Sequence, residues 1–289
     1  MKSAISVISL ALALLCLIPL EVTAQPSKIE FTVSPGCGGP GTPVNIAAES
    51  AIGGQFYKYW VNTVPWCQPG TANWQVIQEW STAKTATWLL DQPGVHTFVV
   101  WVSNVASDQA CEHGQIGATY DVGGASCSDP VEVTLTPPSA SINQPVTVTA
   151  QASGTDLRYK FWVNTVDFCD TAQSPNWVVL QDWSTANAVT YTPPAPGFYT
   201  LIAWALPATD LNNSCPPQGG MVYEVHDGAA LYAQNCASCH GALATSSKRG
   251  ATASRTQDAI NNNVGGMGSP TLRSLTPAQV QAIATALAP

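Results

Sequence analysis

A duplication of long period constrains this chain more than any other feature. Residues 56–64 read Phe-Tyr-Lys-Tyr-Trp-Val-Asn-Thr-Val, and 102 positions later residues 158–166 read Arg-Tyr-Lys-Phe-Trp-Val-Asn-Thr-Val. The correspondence persists in order. Ile29–Val33 matches Val131–Leu135, Trp80-Ser81-Thr82-Ala83 matches Trp183-Ser184-Thr185-Ala186, and Pro93-Gly94 matches Pro196-Gly197. Tyr120-Asp121-Val122 matches Tyr223-Glu224-Val225, so two copies account for residues 27–226. A unit of about 100 residues is the size of a domain, which predicts two tandem copies of one fold.

Each copy has the pattern of antiparallel β structure. Val44-Asn45-Ile46-Ala47, Val146-Thr147-Val148-Thr149 and His96–Val102 alternate apolar and polar, and Pro-Gly, Gly-Gly and Asn/Ser clusters separate them. Several short strands with one aromatic-rich face predict an immunoglobulin-like sandwich. The Tyr-Lys-Tyr-Trp and Tyr-Lys-Phe-Trp strands, and the Pro-Gly turn before an aromatic strand, are similar to bacterial triple-tyrosine domains. That resemblance implies immunoglobulin-like modules attached to exported or surface proteins, and implies no activity. All ten tryptophans lie in the repeats. Trp60/Trp162, Trp74/Trp177, Trp80/Trp183 and Trp101/Trp204 recur in both copies, and recurrence predicts core positions. Trp66 and Phe168 each stand just before a cysteine in an expected loop. They are read as aromatics covering a disulfide, with a sugar-stacking platform as the alternative.

Beyond the repeats the pattern changes to helix. Asp227 is a candidate N-cap for a helix running through Asn235 into Cys236-Ala237-Ser238-Cys239-His240. Two cysteines three apart lie on one side of a turn, where both sulfurs can form thioethers with the vinyl groups of a haem. The histidine that follows can then bind the iron, so C-x-x-C-H reads as a c-type haem attachment site. A zinc half-site would need a second ligand pair, and a redox dithiol a βαβ setting, and neither is present. Thr276-Pro277-Ala278-Gln279 is a capping box with proline at the first helical position. Val280, Ile283, Ala284 and Leu287 follow as one apolar helical face.

Residues 227–289 thereby resemble a class I c-type cytochrome: a helix leading into C-x-x-C-H, a methionine loop, and a C-terminal helix packed across the first. The resemblance implies Cys236 and Cys239 as covalent haem ligands and His240 and Met267 as axial ligands of the iron. Met267 also stands among Gly265, Gly266 and Gly268, where the chain can approach a porphyrin closely. Only 26 residues separate His240 from Met267, so a middle helix of the larger members is expected to be missing. A helix is expected around Thr256–Ile260.

Residues 1–24 look like a signal peptide: Lys2, an apolar run from Ala11 to Ile18, and Val22-Thr23-Ala24 before Gln25. No other apolar run reaches the length of a membrane span. The divisions expected are 1–24 signal peptide, 25–127 first repeat, 128–226 second repeat and 227–289 cytochrome domain. In an oxidising compartment the six remaining cysteines should pair. Equivalent positions in the copies suggest Cys67–Cys111 and Cys169–Cys215, which leaves Cys37–Cys127.

No catalytic constellation emerges. His96 is expected on a strand, His113 in a loop and His226 at the junction, and neither G-x-S-x-G nor H-E-x-x-H occurs. Residues 25–226 carry net −10 and residues 227–289 net +2, with a total of −8. That balance argues against nucleic-acid binding and against docking to an anionic membrane. The leading expectation is an exported monohaem electron carrier of the periplasm or cell surface, with the sandwiches positioning one haem c against a redox partner. A second reading is a polysaccharide-binding or adhesion protein whose cytochrome supplies electrons to an oxidative enzyme. A third is a haem sensor or peroxidase.

Overall fold

The computed structural model describes residues 29–289 except 37, 51–55, 66, 68–71, 107, 109–113, 123–130, 138–139, 167–172 and 214. The expected signal peptide, Cys37, Trp66, Cys111, His113, Cys127, Phe168 and Cys169 lie outside the described residues. The architecture is the expected one: two tandem β-sandwiches and then a small all-α region.

In the first copy β1 (Ile29–Ser34), β2 (Pro43–Ser50) and β5 (Thr85–Leu89) make a small antiparallel sheet. It packs on β3 (Phe56–Asn62), β4 (Trp74–Ser81), β6 (Gly94–Ser103) and β7 (Gly114–Val122). In the second copy the small sheet is β8 (Glu132–Thr136), β10 (Val146–Gln151) and β13 (Ala188–Tyr191). The larger half is β11 (Leu157–Asn164), β12 (Trp177–Ser184), β14 (Gly197–Pro207) and β15 (Gln218–His226), and β9 (Ala140–Ser141) pairs in parallel with the end of β15.

The copies are not separate beads. β7 pairs antiparallel with β15, which joins the two larger halves into one sheet ordered β12-β11-β14-β15-β7-β6-β3-β4. Gly117 and Gly220 face each other across this seam. A Cβ on Gly117 would meet Phe98 O at 2.7 Å, and one on Gly220 would meet Leu201 O at 2.9 Å. Ile116 and Met221 are the next pair, and Met221 touches the cores of both copies.

Strand alternation sorts the aromatics, and here the tryptophan expectation fails. On β3, Tyr57, Tyr59 and Val61 point into the sandwich, so Lys58 and Trp60 point out. Tyr120, Phe98, Tyr199, Phe161 and Tyr223 are buried in the same way. The recurring tryptophans stand instead on the opposite face. Trp60 and Trp80 lean on Trp101 with ring centres 5.0 and 6.4 Å apart, and Trp162 and Trp183 lean on Trp204 at 5.0 and 6.3 Å. Trp74 and Trp177, at the outer edges, are exposed. Recurrence in both copies does not separate inner from outer positions; the parity of Tyr-Lys-Tyr-Trp does.

The joined sheet also overturns two expected disulfides: Cys67 is bonded to Cys215, not to Cys111, and Cys215 is therefore not bonded to Cys169. The register gives the reason. β3 ends at Asn62, level with Thr97 of β6 and through it with Thr119 of β7. The Gln218 N–H donates to Thr119 Oγ1 at 2.8 Å, so β15 begins at that same end of the sheet. Cys67 follows β3 and Cys215 precedes β15, which brings them together. By contrast β7 begins at Gly114 opposite Val102, itself paired with Tyr57 at the far end of β3. For Cys37–Cys127, the neighbouring Gly38 forms a bridge with Val122; the pair itself lies outside the described residues.

Five helices follow: α1 (Gly228–Asn235), α2 (Ala237–His240), α3 (Ala253–Asn261), α4 (Pro270–Arg273) and α5 (Pro277–Ala286). α3 supplies the helix expected around Thr256–Ile260, within the short His240–Met267 interval. α5 rests on β9 and β15. Ser141 Oγ donates to Ala282 O at 3.3 Å in a buried contact, and a Cβ on Gly228 would lie 2.0 Å from Ala282 O. Only glycine allows the start of α1 to approach α5 this closely.

Candidate haem-attachment site

The attachment turn is built from α1. Asp227 caps it, with Oδ1 accepting from Ala230 N at 3.0 Å, and the helix delivers Cys236 to the start of α2. Cys239 N and His240 N both donate to Cys236 O, at 3.2 and 3.0 Å, so the motif occupies a single turn. Gly241 ends it at φ 76°, a left-handed conformation that glycine adopts without a Cβ penalty. Tyr232, almost wholly buried, donates its hydroxyl to Gly241 O at 3.1 Å and ties the exit of the turn back to α1. Sequence reasoning did not single out Tyr232; its spacing of four before Cys236, one helical turn, was the available signal.

Cys236 is buried and Cys239 exposed, and both are free thiols rather than a disulfide with each other. Burial, with a smaller contribution from neighbouring Cys239, pushes the Cys236 thiol above its ordinary range. Cys236 packs with Tyr232, Ile283 and Leu287, where α1 crosses α5. Beside it along α5, Ile260, Val280 and Ala284 form a second apolar cluster. Met267 packs against this second cluster, half-buried, with Leu272 and Leu275. Leu275 borders both clusters.

The methionine loop has the backbone freedom its glycines suggest. Asn263, Gly265 and Gly266 have φ of 53°, 62° and 87°, and Gly268 N donates to Asn263 Oδ1 at 2.7 Å. No heavy atom lies within 4 Å of where a Cβ on Gly265 or Gly266 would stand. α5 carries the expected capping box: Gln279 N donates to Thr276 Oγ1 at 3.2 Å and Thr276 N to Gln279 Oε1 at 2.9 Å.

This donor set fits haem c. Two unpaired thiols and an imidazole share one turn, and a thioether stands on a neighbouring loop beside apolar side chains that are only partly covered. Met267 joining an apolar cluster also satisfies the plainer description of a packed methionine, so its ligation is not read from the packing. Elsewhere, His96 is buried, with Nδ1 3.1 Å from Gly94 O and no hydrogen-bond partner at Nε2. His226 Nε2 lies 2.8 Å from Glu224 Oε1, close enough for an ion pair though not aligned as a hydrogen bond. No group of three or more His, Cys, Asp or Glu among the described residues could hold a metal ion. No helix among them is long and apolar enough to cross a membrane.

Comparison with known proteins bears mainly on the helical region. Residues 224–285 match the family described as cytochrome C oxidase, cbb3-type, subunit III. No curated protein matches. Among solved structures, the fibronectin(III)-like modules of Clostridium thermocellum CbhA are 17% identical, covering 69% of this chain and 93% of theirs at a TM-score of 0.22. Red sea bream transglutaminase is 9% identical, with 69% of this chain and 31% of that one covered at 0.25. A Salmonella alpha-2-macroglobulin mutant is 10% identical, with 71% and 17% covered at 0.24. Superpositions this loose carry no argument about the repeats. The family match and the attachment turn together identify the C-terminal region as a c-type cytochrome domain that carries covalently bound haem c.

Proposed function

We propose that this chain is an exported monohaem c-type cytochrome that passes single electrons, with its two β-sandwiches positioning the haem domain against a partner protein or a surface. Cys236 and Cys239 would hold the haem through thioethers, and His240 and Met267 would bind its iron. The observation that carries the reading is the single turn from Cys236 to His240, with both thiols unpaired, inside a region that matches a cytochrome family. When bound, a haem with His/Met ligation supplies a one-electron couple of raised potential. The chain contributes the attachment turn, the apolar cover from α5 and the methionine loop.

The docking of α5 on β9 and β15 supports a fixed rather than a tethered haem domain. Through Ser141, Ala282 and Gly228 the second sandwich and the cytochrome domain touch without intervening linker. Domain bounds at 25–127, 128–226 and 227–289 belong to this reading, as does removal of residues 1–24 on export.

The test is a redox titration of the mature protein, made with haem maturation and followed in the visible spectrum. One haem per chain, a reversible one-electron couple and slow or absent CO binding are expected. Rapid CO binding by the reduced protein would mean an open coordination position and would favour a sensor or peroxidase.

A further inference from the structure

Sandwiches that position a haem domain need a surface to recognise, and the inference about that surface rests on the proposed function. β4 and β12 are the two outer edges of the joined sheet, and each starts with an exposed tryptophan. Trp74 is 46% exposed and Trp177 42% exposed. A lone exposed indole needs no explanation. These two are held in the same way in both copies.

In the first copy Asn62 Oδ1 accepts from Val64 N at 3.2 Å and from Asn73 N at 2.9 Å, while Asn73 Nδ2 donates to Thr63 Oγ1 at 2.9 Å. In the second copy Asn164 Oδ1 accepts from Val166 N at 3.2 Å and from Asn176 N at 2.9 Å, and Asn176 Nδ2 donates to Thr165 Oγ1 at 2.8 Å. The repeated Val-Asn-Thr-Val phrase therefore builds a rigid support, and the residue delivered by that support is a solvent-facing tryptophan. An indole ordered before binding loses little conformational freedom when something stacks on it.

We infer that Trp74 and Trp177 are twin stacking platforms for an uncharged polysaccharide. The chemistry around them selects this occupant. In sequence Asn73 and Gln75 flank Trp74, and Asn176 and Val178 flank Trp177, so the immediate neighbours bring amides and an apolar group and no charge. A sugar ring presents an apolar C–H face to an indole and hydroxyl groups to amides. Residues 25–226 carry net −10, which disfavours a polyanion. A protein partner needs roughly 800 Å² per side for a stable interface. Each site instead offers one indole with an exposed valine, Val76 or Val179, two residues along. Two small equivalent sites suit a ligand that is itself repetitive.

The test uses the mature haem-loaded protein with swollen cellulose, insoluble xylan and chitin, and an alginate gel as the charged control. Bound protein is read from the haem absorbance left in solution. Retention on at least one uncharged polymer and none on alginate is expected. Trp74→Ala and Trp177→Ala should each weaken retention, and the double variant should lower the affinity about tenfold or more, since buried tryptophan contacts dominate such binding. Both side chains are exposed, so circular dichroism and the haem spectrum should be unchanged. Absence of retention on all three polymers overturns the inference, as does undiminished retention of the double variant. Loss of self-association in the double variant, read by sedimentation velocity, would assign the edges to contacts between copies and overturn it too. Reversible haem reduction in an unretained protein would sink this inference and leave the electron-carrier reading intact.

Discussion

Cys67 and Cys215, 148 positions apart in sequence, are joined by a disulfide with Cα atoms 5.2 Å apart. The bond spans the two sandwiches rather than closing either one. It reinforces the β7–β15 seam at the end where Gln218 meets Thr119. Peptide mapping without reduction should recover a Cys67–Cys215 peptide, and a Cys67–Cys111 peptide would contradict the seam. The sequence correspondence equates Cys67 with Cys169 and Cys215 with Cys111. A Cys111–Cys169 peptide is therefore the expected companion, although both residues lie outside those described. Cys67→Ser with Cys215→Ser should destabilise the repeats by up to about 5 kcal/mol, the chain-entropy limit for so long a loop. Urea unfolding measures the loss.

Gly228→Ala tests the packing of α1 on α5 within the haem domain. The new Cβ would stand 2.0 Å from Ala282 O and 2.6 Å from Ala282 C, both backbone atoms that cannot swing aside. A loss of about 3 kcal/mol, at the upper end for overpacking, is expected. Thermal unfolding should then resolve separate transitions for the sandwiches and the cytochrome domain. A single unshifted transition would mean that α1 and α5 do not approach this closely in solution.

Lys58 and Lys160 occupy equivalent positions with different surroundings. The Lys58 side chain is 3% exposed, contacts Glu79 and Asp108 at 2.8 Å, and lies 4.6 Å from the Trp60 ring centre. The Lys160 side chain is 16% exposed and pairs with Asp182 at 2.9 Å. Lys58→Ala should therefore cost more than Lys160→Ala, about 1–3 kcal/mol against less than 1. Burial alone would lower the Lys58 pKa, but hydrogen bonds to Asp108 and Glu79 outweigh it and raise it above the ordinary 10.5. While Asp108 and Glu79 are ionised, the contribution of this ion pair is thus complete below pH 10.5 and is lost as pH rises through the higher folded value. Denaturation curves of wild type and Lys58→Ala should draw closer as pH rises into that alkaline range.

Met267→Ala tests axial ligation. The oxidised wild type should show the weak sulfur-to-iron charge-transfer band in the far red, and the variant should lack it. The variant should also have a lower reduction potential and bind CO, with the haem still attached through Cys236 and Cys239. Survival of the band would leave Met267 as a packing residue of the Ile260–Val280 cluster.

Features confined to a few consecutive residues are legible in the amino-acid sequence. The cap at Asp227, the box at Thr276 and Gln279, and the single turn from Cys236 to His240 depend on backbone groups three or four positions apart. Hydrogen bonds at that range are set by local identity. The offset of 102 likewise announces two copies of one sandwich, and alternation places Tyr57, Tyr59 and Val61 inside. The outward face of Trp60 is legible too, because it shares parity with Lys58.

Contacts between the copies are not legible. A sequence repeat describes each copy as a closed unit and is silent about which strand edge it leaves free. Here β7 and β15 are free edges that pair with each other, with Gly117 opposite Gly220, where a Cβ would meet the neighbouring strands β6 and β14. That one pairing decides the Cys67–Cys215 bond, sets Met221 between two cores and leaves β4 and β12 as outer edges bearing Trp74 and Trp177. The haem domain's seat on the second sandwich is decided in the same way, by α5 lying on β9 and β15 with Ser141 donating to Ala282 O. Sequence alone determined the local turns, the duplication and the attachment chemistry, since each depends on neighbouring residues or on a repeated phrase. Tertiary structure decided how the three units meet, since backbone edges and close approaches between distant segments leave no periodic trace in the chain.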